Sequence, residues 1–292
     1  MAIIRVDSAD DPRIAHYRDL PGANLTRHSG RFIVEGHLLV ERLLASGYEV
    51  DSVLVDGRRS DRLPPGIPEE VPVYTTSPGL VEQIIGFNFH RGVLACGRRK
   101  PSGSLPEAFG SVARSFTAVV CVDIQDPTNL GGILRNSAAF GADLVLLSRR
   151  CADPFSRRVL RVSMGAVLRL SVAESANLEG DLRRLRDEFG VQLVATVLQE
   201  GAESLEKASR PARLALLFGN EGHGLPPEMT AICQRRVTVP MCSGASSLNA
   251  AVAAGVFLYH FTRVATPVAK DEGQKTQDKG RRTGDESQSG TL

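Results

Sequence analysis

Apolar positions along the first hundred residues alternate between helical spacing and short runs. Residues 10–20 read as a helix and Phe32-Ile33-Val34 as a strand. From residue 37 to 46 the apolar positions recur on one helical face, and Gly47 supplies a stop. Strands are expected at 50–55, 71–74 and 93–96, with a Pro-opened helix at 78–85. The alternation predicts a small α/β layer domain over residues 1–97. Residues 98–106, Arg-Arg-Lys-Pro-Ser-Gly-Ser-Leu-Pro, have little to bury and read as a linker.

A second α/β region spans 107–265. Strands are expected at 118–122, 144–147, 193–197, 214–218 and 237–239. Helices are expected at 130–140, ahead of Gly141, at 178–189, ahead of Gly190, and at 248–264. Strand–helix alternation of this kind predicts a mainly parallel sheet covered on both faces. The last helix is apolar nearly all round from Ala250 to Tyr259, which predicts burial on all sides. Either one large domain buries it, or a second copy of the chain covers the side turned from the sheet. Residues 266–292 are almost without apolar side chains and read as disordered.

Composition narrows the function classes. A hydrophobic share of 42% against 23% charged suits a globular chain, and a net charge of +2 is too small to argue for nucleic acid by itself. The five cysteines show no Cys-x-x-Cys pair, which points to a reducing cytoplasm and not to a disulfide scaffold. The start lacks the apolar stretch of a signal peptide, and no run suggests a membrane span. Phosphate-loop, zinc-helix, nucleophile-elbow and dinucleotide fingerprints are missing, and no metal-ligating set has zinc spacing.

Three turns rich in glycine and amides remain, each after an expected strand, where ligands of open α/β sheets bind. The first is Asp126-Pro127-Thr128-Asn129-Leu130-Gly131-Gly132, followed by Arg135. Thr128 or Asn129 can cap the helix, and two glycines in its first turn suggest close approach by a ligand or another backbone. The second, Gly219-Asn220-Glu221-Gly222-His223-Gly224-Leu225-Pro226, holds one carboxylate, and Pro226 suits the first position of a short helix. The third runs from Val239-Pro240-Met241 to Ser247-Leu248-Asn249, with Ser246 or Ser247 as cap. Arg149, Arg150, Arg157, Arg158 and Arg161 cluster with a single acid, Asp153, between 148 and 163, a candidate phosphate-contacting patch.

Taken together the turns resemble the SpoU/TrmH family of the SPOUT methyltransferases. Asn129, Gly131 and Arg135 match its Asn-x-Gly-x-x-x-Arg motif, and Gly219, Glu221 and Gly224 its Gly-x-Glu-x-x-Gly motif. Val239-Pro240-Met241 and Ser247-Leu248-Asn249 match its third, and Arg161 to Ala166 resembles its Arg-x-Ser-x-Gly segment. Phe32 to Gly36 and His90 to Ala95 resemble the family's ribosomal-protein-like RNA-binding extension, so the likeness covers about residues 10–264.

The resemblance implies an α/β fold of the SPOUT type, with a knotted parallel-sheet catalytic domain behind a smaller α/β amino-terminal domain. It implies a homodimer through the catalytic domain that transfers methyl from S-adenosyl-L-methionine to a ribose 2′-hydroxyl. By position, Gly219, Asn220, Val239, Met241 and Leu248 would hold the cofactor. Arg135 would stand by the hydroxyl, either as a base, against the usual hold of a guanidinium on its proton, or as a clamp on phosphate or alkoxide. Asn129, Glu221, Ser247 and Asn249 would complete the catalytic set. Arg27, His28, Arg31, Arg91, Arg157 and Arg161 are candidate RNA contacts. Ribosomal RNA of the large subunit is the expected substrate, with transfer RNA, or a non-catalytic assembly factor of the same fold, as alternatives. An ordinary nucleotide-cofactor enzyme is the third class.

Overall fold

The computed structural model describes residues 2–18, 20, 29–59, 63–87, 89, 92–100, 115–242 and 247–265. The amino-terminal part contains β1 (Ile3–Arg5), β2 (Arg31–Glu35), α1 (His37–Leu44), β3 (Val50–Asp56), β4 (Val73–Thr76), α2 (Pro78–Ile85) and β5 (Val93–Arg98). Its sheet runs β1-β4-β3-β5-β2, with β5 antiparallel to both its neighbours and the other pairs parallel. The expected helix at 10–20 is a 3-10 turn, Pro12–Tyr17, which ends as Arg18 becomes extended. Leu20 precedes Pro21, and a residue before proline resists the helical region. The short edge strand β1 was not foreseen from the pattern.

The second part contains β6 (Phe116–Cys121), α3 (Pro127–Ala139), β7 (Leu144–Ser148), α4 (Arg157–Val162), β8 (Val172–Ser175), α5 (Leu178–Asp187), β9 (Gln192–Thr196), β10 (Glu203–Ser204), β11 (Arg213–Phe218), α6 (Pro227–Ala231), β12 (Arg235–Thr238) and α7 (Ala250–Tyr259). All seven strands are parallel, in the order β10-β12-β9-β11-β6-β7-β8. The parallel sheet expected from the pattern is therefore present, with α4, β8 and β10 added to it. Among the described residues no helix is long and apolar enough to cross a membrane.

Three helix starts differ from expectation. Asp126, not Thr128 or Asn129, caps α3, its carboxylate accepting from the Thr128 N–H at 2.7 Å, and Pro127 opens the helix instead of ending the strand. Asn249, not Ser247, caps α7 by accepting from the Ala251 and Val252 N–H groups, and Ser246 lies outside the described residues. Pro226 is the cap of α6, and Pro227 takes its first position. At α3 the shift leaves the Asn129 side chain for other partners.

The glycine pair in α3 also has a structural reason. A Cβ on Gly131 would stand 2.7 Å from Val162 Cβ on α4, and one on Gly132 would stand 2.5 Å from Ala251 Cβ on α7. Both glycines let helices close on α3. On α7, Ala254, Phe257 and Leu258 are buried, whereas Val252, Val256 and Tyr259, spaced four and three residues apart, are 52%, 38% and 54% exposed. So one face of the all-apolar helix is left uncovered within a single chain.

The two sheets share a core. One buried cluster joins Phe32, Val34 and Leu39 of the first part to Val119, Ile133, Leu147, Val159 and Phe257 of the second. Phe32 and Phe155 rings lie 5.0 Å apart across this junction. The opposite face of the large sheet packs on α5, and that of the small sheet on α2 and Tyr17. Polar ties reinforce the junction: Arg42 donates to Met164 O, Arg99 binds Glu174, and Arg157 lies 3.4 Å from Glu35. The expected linker therefore starts later than its composition suggests, because Arg98 ends β5 and Arg99 is anchored; residues 101–106 lie outside the described residues, as does the tail at 266–292.

Gly132→Val forces a branched side chain into the α3–α7 contact. We expect a loss of about 1–3 kcal/mol of stability, the usual cost of overpacking, read as a lower urea midpoint at unchanged slope.

Candidate active site

The turns after β6, β11 and β12 meet at the carboxyl ends of the strands, and one hydrogen-bonded chain ties them together. Asn129 on α3 is 7% exposed. Its Nδ2 donates to Glu221 Oε1 at 3.0 Å, and its Oδ1 accepts from Asn249 Nδ2 at 2.7 Å. Asn249 Oδ1 in turn accepts from the first N–H groups of α7, and Glu221 Oε1 also accepts from the Asp126 N–H at 3.3 Å. Each amide is oriented by its neighbours, since reversing one would set donor against donor or acceptor against acceptor.

The loop bearing Glu221 is a tight curl. Asn220 and Gly224 exchange backbone hydrogen bonds of 3.0 and 2.9 Å. A Cβ on Gly219 would fall 2.2 Å from the Gly224 carbonyl carbon, so glycine is required there by the loop's own backbone. Gly224 has φ +67°. Asn220 Oδ1 accepts from the Gly222 and His223 N–H groups, filling the interior of the curl.

Beneath this rim lies a cavity of about 860 Å³. Asn129, Gly219, Asn220, Glu221, Val239, Met241, Ser247, Leu248 and Asn249 all line it. The pattern missed Thr196-Val197-Leu198-Gln199 after β9, Phe218 and Leu225, Arg236 on β12, and Ala253 and Phe257 on α7, which line it too. The placement of 196–199 follows from the rule that carboxyl ends of parallel strands surround the crevice, since β9 pairs with β11. Phe257 and Ala253 are hidden in an all-apolar helix, where no polar signal marks a lining position. Among the described lining residues Glu221 is the one acid and Arg236 the one arginine or lysine.

Arg135 does not line the cavity. It is exposed on α3, and among the described residues it has no hydrogen-bond or ion-pair partner. Of the expected RNA contacts, Arg27, His28 and Arg91 lie outside the described residues. Arg31 is held by Asp51 at 2.5 Å, which raises its pKa. Arg157 is spent on the junction: its guanidinium lies 3.9 Å from the Phe87 ring centroid and beside Glu35, and burial lowers its pKa. Arg161 is exposed, as is Arg158, whose Nε donates to Thr128 Oγ1 at 3.1 Å. The arginine cluster thus divides between the junction and the surface.

Comparison with known proteins agrees with this geometry. Residues 117–259 match the model of the SpoU rRNA Methylase family. An uncharacterized tRNA/rRNA methyltransferase of Mycobacterium bovis is 37% identical over 262 residues, covering 87% of this chain and 90% of its own. The 23S rRNA (guanosine(2553)-2′-O)-methyltransferase of Bacillus subtilis is 29% identical, covering 88% and 98%. Among solved structures, an AdoMet-bound rRNA methyltransferase from Sinorhizobium meliloti superposes with a TM-score of 0.78 at 26% identity, over 89% of this chain and 98% of that one.

Asn129→Ala removes the middle of the chain, taking the partner from Asn249 Nδ2 and leaving Glu221 Oε1 with the Asp126 N–H and solvent. The expected cost is about 0.5–1.5 kcal/mol in denaturant unfolding. In Asn129→Asp an oxygen faces the Glu221 carboxylate, so the loss is expected to be greater at pH 8 than at pH 4, where protonation supplies the missing donor.

Proposed function

Because the chain belongs to the SpoU family of S-adenosylmethionine-dependent RNA methyltransferases, we propose that its cavity is where a ribose 2′-hydroxyl of structured RNA is methylated, with 23S ribosomal RNA as substrate. The observation that carries this reading is the Glu221–Asn129–Asn249 chain, which gathers all three turns on the rim of one cavity. The name of the Bacillus relative supports both the 2′-oxygen and the RNA. The Mycobacterium relative's name spans tRNA and rRNA, which keeps transfer RNA as the competing substrate.

The residues present fit the cofactor. The cavity volume falls within the roughly 300–1,000 Å³ of small-molecule sites. Phe218, Leu225, Val239, Leu248 and Phe257 offer apolar walls to an adenine, and the Glu221 carboxylate favours a cation. When bound, S-adenosylmethionine supplies a methyl group already activated on a sulfonium. What is left to the protein is alignment and charge. Gly219, Asn220, Val239, Met241 and Leu248 hold the cofactor. Asn129 and Asn249, their amides pre-oriented, position the ribose, and Ser247 shapes the rim. Glu221 fixes Asn129. Arg135, exposed and uncommitted, clamps the neighbouring phosphate or the developing alkoxide with its planar fork.

The rest of the assignment follows the same division. Residues 1–97 grip RNA, and 107–265 perform the transfer, with Arg158 and Arg161 as surface phosphate contacts between them. The family's knot belongs to this proposal; in its support, described residues after β11 and after β12 line one cavity, and α7 packs on α3. A second copy of the chain covers the Val252, Val256 and Tyr259 stripe, making a homodimer through the transferase half.

The protein is expected to move label from radioactive S-adenosylmethionine into ribosomal RNA of the large subunit taken from cells lacking its gene. Alkaline digestion should leave the label in a dinucleotide, since a methylated 2′-oxygen cannot attack the adjoining phosphate. Arg135→Ala should lower transfer about a hundredfold or more, and Arg135→Lys should fail to restore it. Label in base-modified mononucleotides, or full activity in Arg135→Ala, would refute the assignment. Val256→Arg is expected to sediment as a monomer; an unchanged dimer would place the interface elsewhere.

A further inference from the structure

Asp123 follows β6 with φ +56°, a left-handed conformation that is uncommon for residues with a Cβ and that Asp and Asn reach more readily than most, with the help of side-chain hydrogen bonds. Here those bonds are specific. The Asp123 N–H donates to Ser148 Oγ at 2.8 Å, and that hydroxyl donates back to Asp123 Oδ1 at 2.6 Å. The two residues thus close a ring between the ends of β6 and β7. The Arg150 guanidinium binds Oδ2 from the solvent side, the arginine being 73% exposed and the carboxylate 13%.

The bend aims one carbonyl. Asp123 O accepts from Asn220 Nδ2 at 2.8 Å. That same Nδ2 lies 3.3 Å from Glu221 Oε2, while Asn220 Oδ1 takes the Gly222 and His223 N–H groups. The Asn220 amide is therefore held at both ends, its oxygen by the loop's own N–H groups and its nitrogen from outside the loop by the Asp123 carbonyl. Through Asn220 it reaches both the curl and the carboxylate that holds Asn129.

We propose that Asp123 is a positioning residue for cofactor binding. Its side chain, locked to Ser148 and Arg150, holds the left-handed bend whose carbonyl keeps Asn220 and the Gly219–Gly224 loop in the shape that receives S-adenosylmethionine. This rests on the reading of the cavity as the cofactor site.

The test is calorimetric titration of S-adenosylmethionine into the intact protein and into Asp123→Ala, Asp123→Asn and Ser148→Ala, well below the melting temperature of each. Asp123→Ala is expected to weaken binding about tenfold, or about 1.4 kcal/mol. Asp123→Asn tolerates the left-handed region and still offers an oxygen to Ser148, so it should stay within about threefold of the parent. Ser148→Ala should fall between them, and it carries the test if Asp123→Ala does not fold. Parental affinity in Asp123→Ala or Ser148→Ala, with only a lowered melting temperature, would overturn the proposal by reducing the ring to a stability element. Equal losses in Asp123→Ala and Asp123→Asn would overturn the locking geometry. An intact protein that binds no S-adenosylmethionine would instead overturn the cofactor reading of the cavity itself, and this proposal with it.

Discussion

The site depends on a single buried amide. Asn129 uses both ends of its side chain, donating to Glu221 and accepting from Asn249, and so joins segments 92 and 120 residues away along the chain. A buried polar group left unpaired is costly, and this one is satisfied only if both distant turns arrive in register. The same bonds hold the first turn of α7, because the Asn249 oxygen left over caps that helix. Helix start, loop shape and cavity rim are thus consequences of one satisfied network, and disturbing any member disturbs the others.

Much of the architecture was legible in the sequence. Helix α2 was read to the residue, because Pro78 and Gly86 mark its ends and the apolar spacing between them is unambiguous. The parallel sheet followed from short apolar strands between helices. What escaped was β1, α4, β8 and β10. These elements are short, and around α4 a run of arginines hides the apolar Val159 and Leu160, which point into the core. The three turns meet at one cavity, and of the two readings offered for Gly131 and Gly132, approach by a ligand or by another backbone, the structure supplies the second, the close packing of neighbouring helices. From sequence, close approach by a ligand and close approach by a helix look alike. The caps erred in both directions: α3 starts from Asp126, ahead of the expected Thr128 or Asn129, and α7 from Asn249, behind the expected Ser246 or Ser247. Several capable side chains stand in a row at these two starts, and tertiary bonding decides which of them caps.

The arginines show the same limit. Charge clustering between 149 and 161 suggested one phosphate-binding face. In space the residues have separate duties: Arg150 binds Asp123, Arg157 lies against Phe87 and Glu35, and Arg161 faces outward. Sequence proximity on a short helix puts side chains on different faces, and only the packing of β2 against α4 reveals which face is interior. Asp123 is the converse case. Nothing in a lone aspartate after a strand announces a left-handed bend, since its hydrogen-bond partner Ser148 lies twenty-five positions later.

The core shared by the two sheets has a mechanical consequence. A small sheet joined to the large one through a continuous apolar cluster, stacked rings and three polar ties is not a tethered arm. Any surface it presents stands at a set distance and angle from the cavity, as the jaws of a caliper stand to each other once the screw is tightened. If the small sheet grips RNA as proposed, that RNA can offer a nucleotide to the cavity only if its own fold spans the gap. On that proposal the adjustment would fall on the substrate, and the protein would select by gauge, among molecules of similar charge, those whose shape already fits.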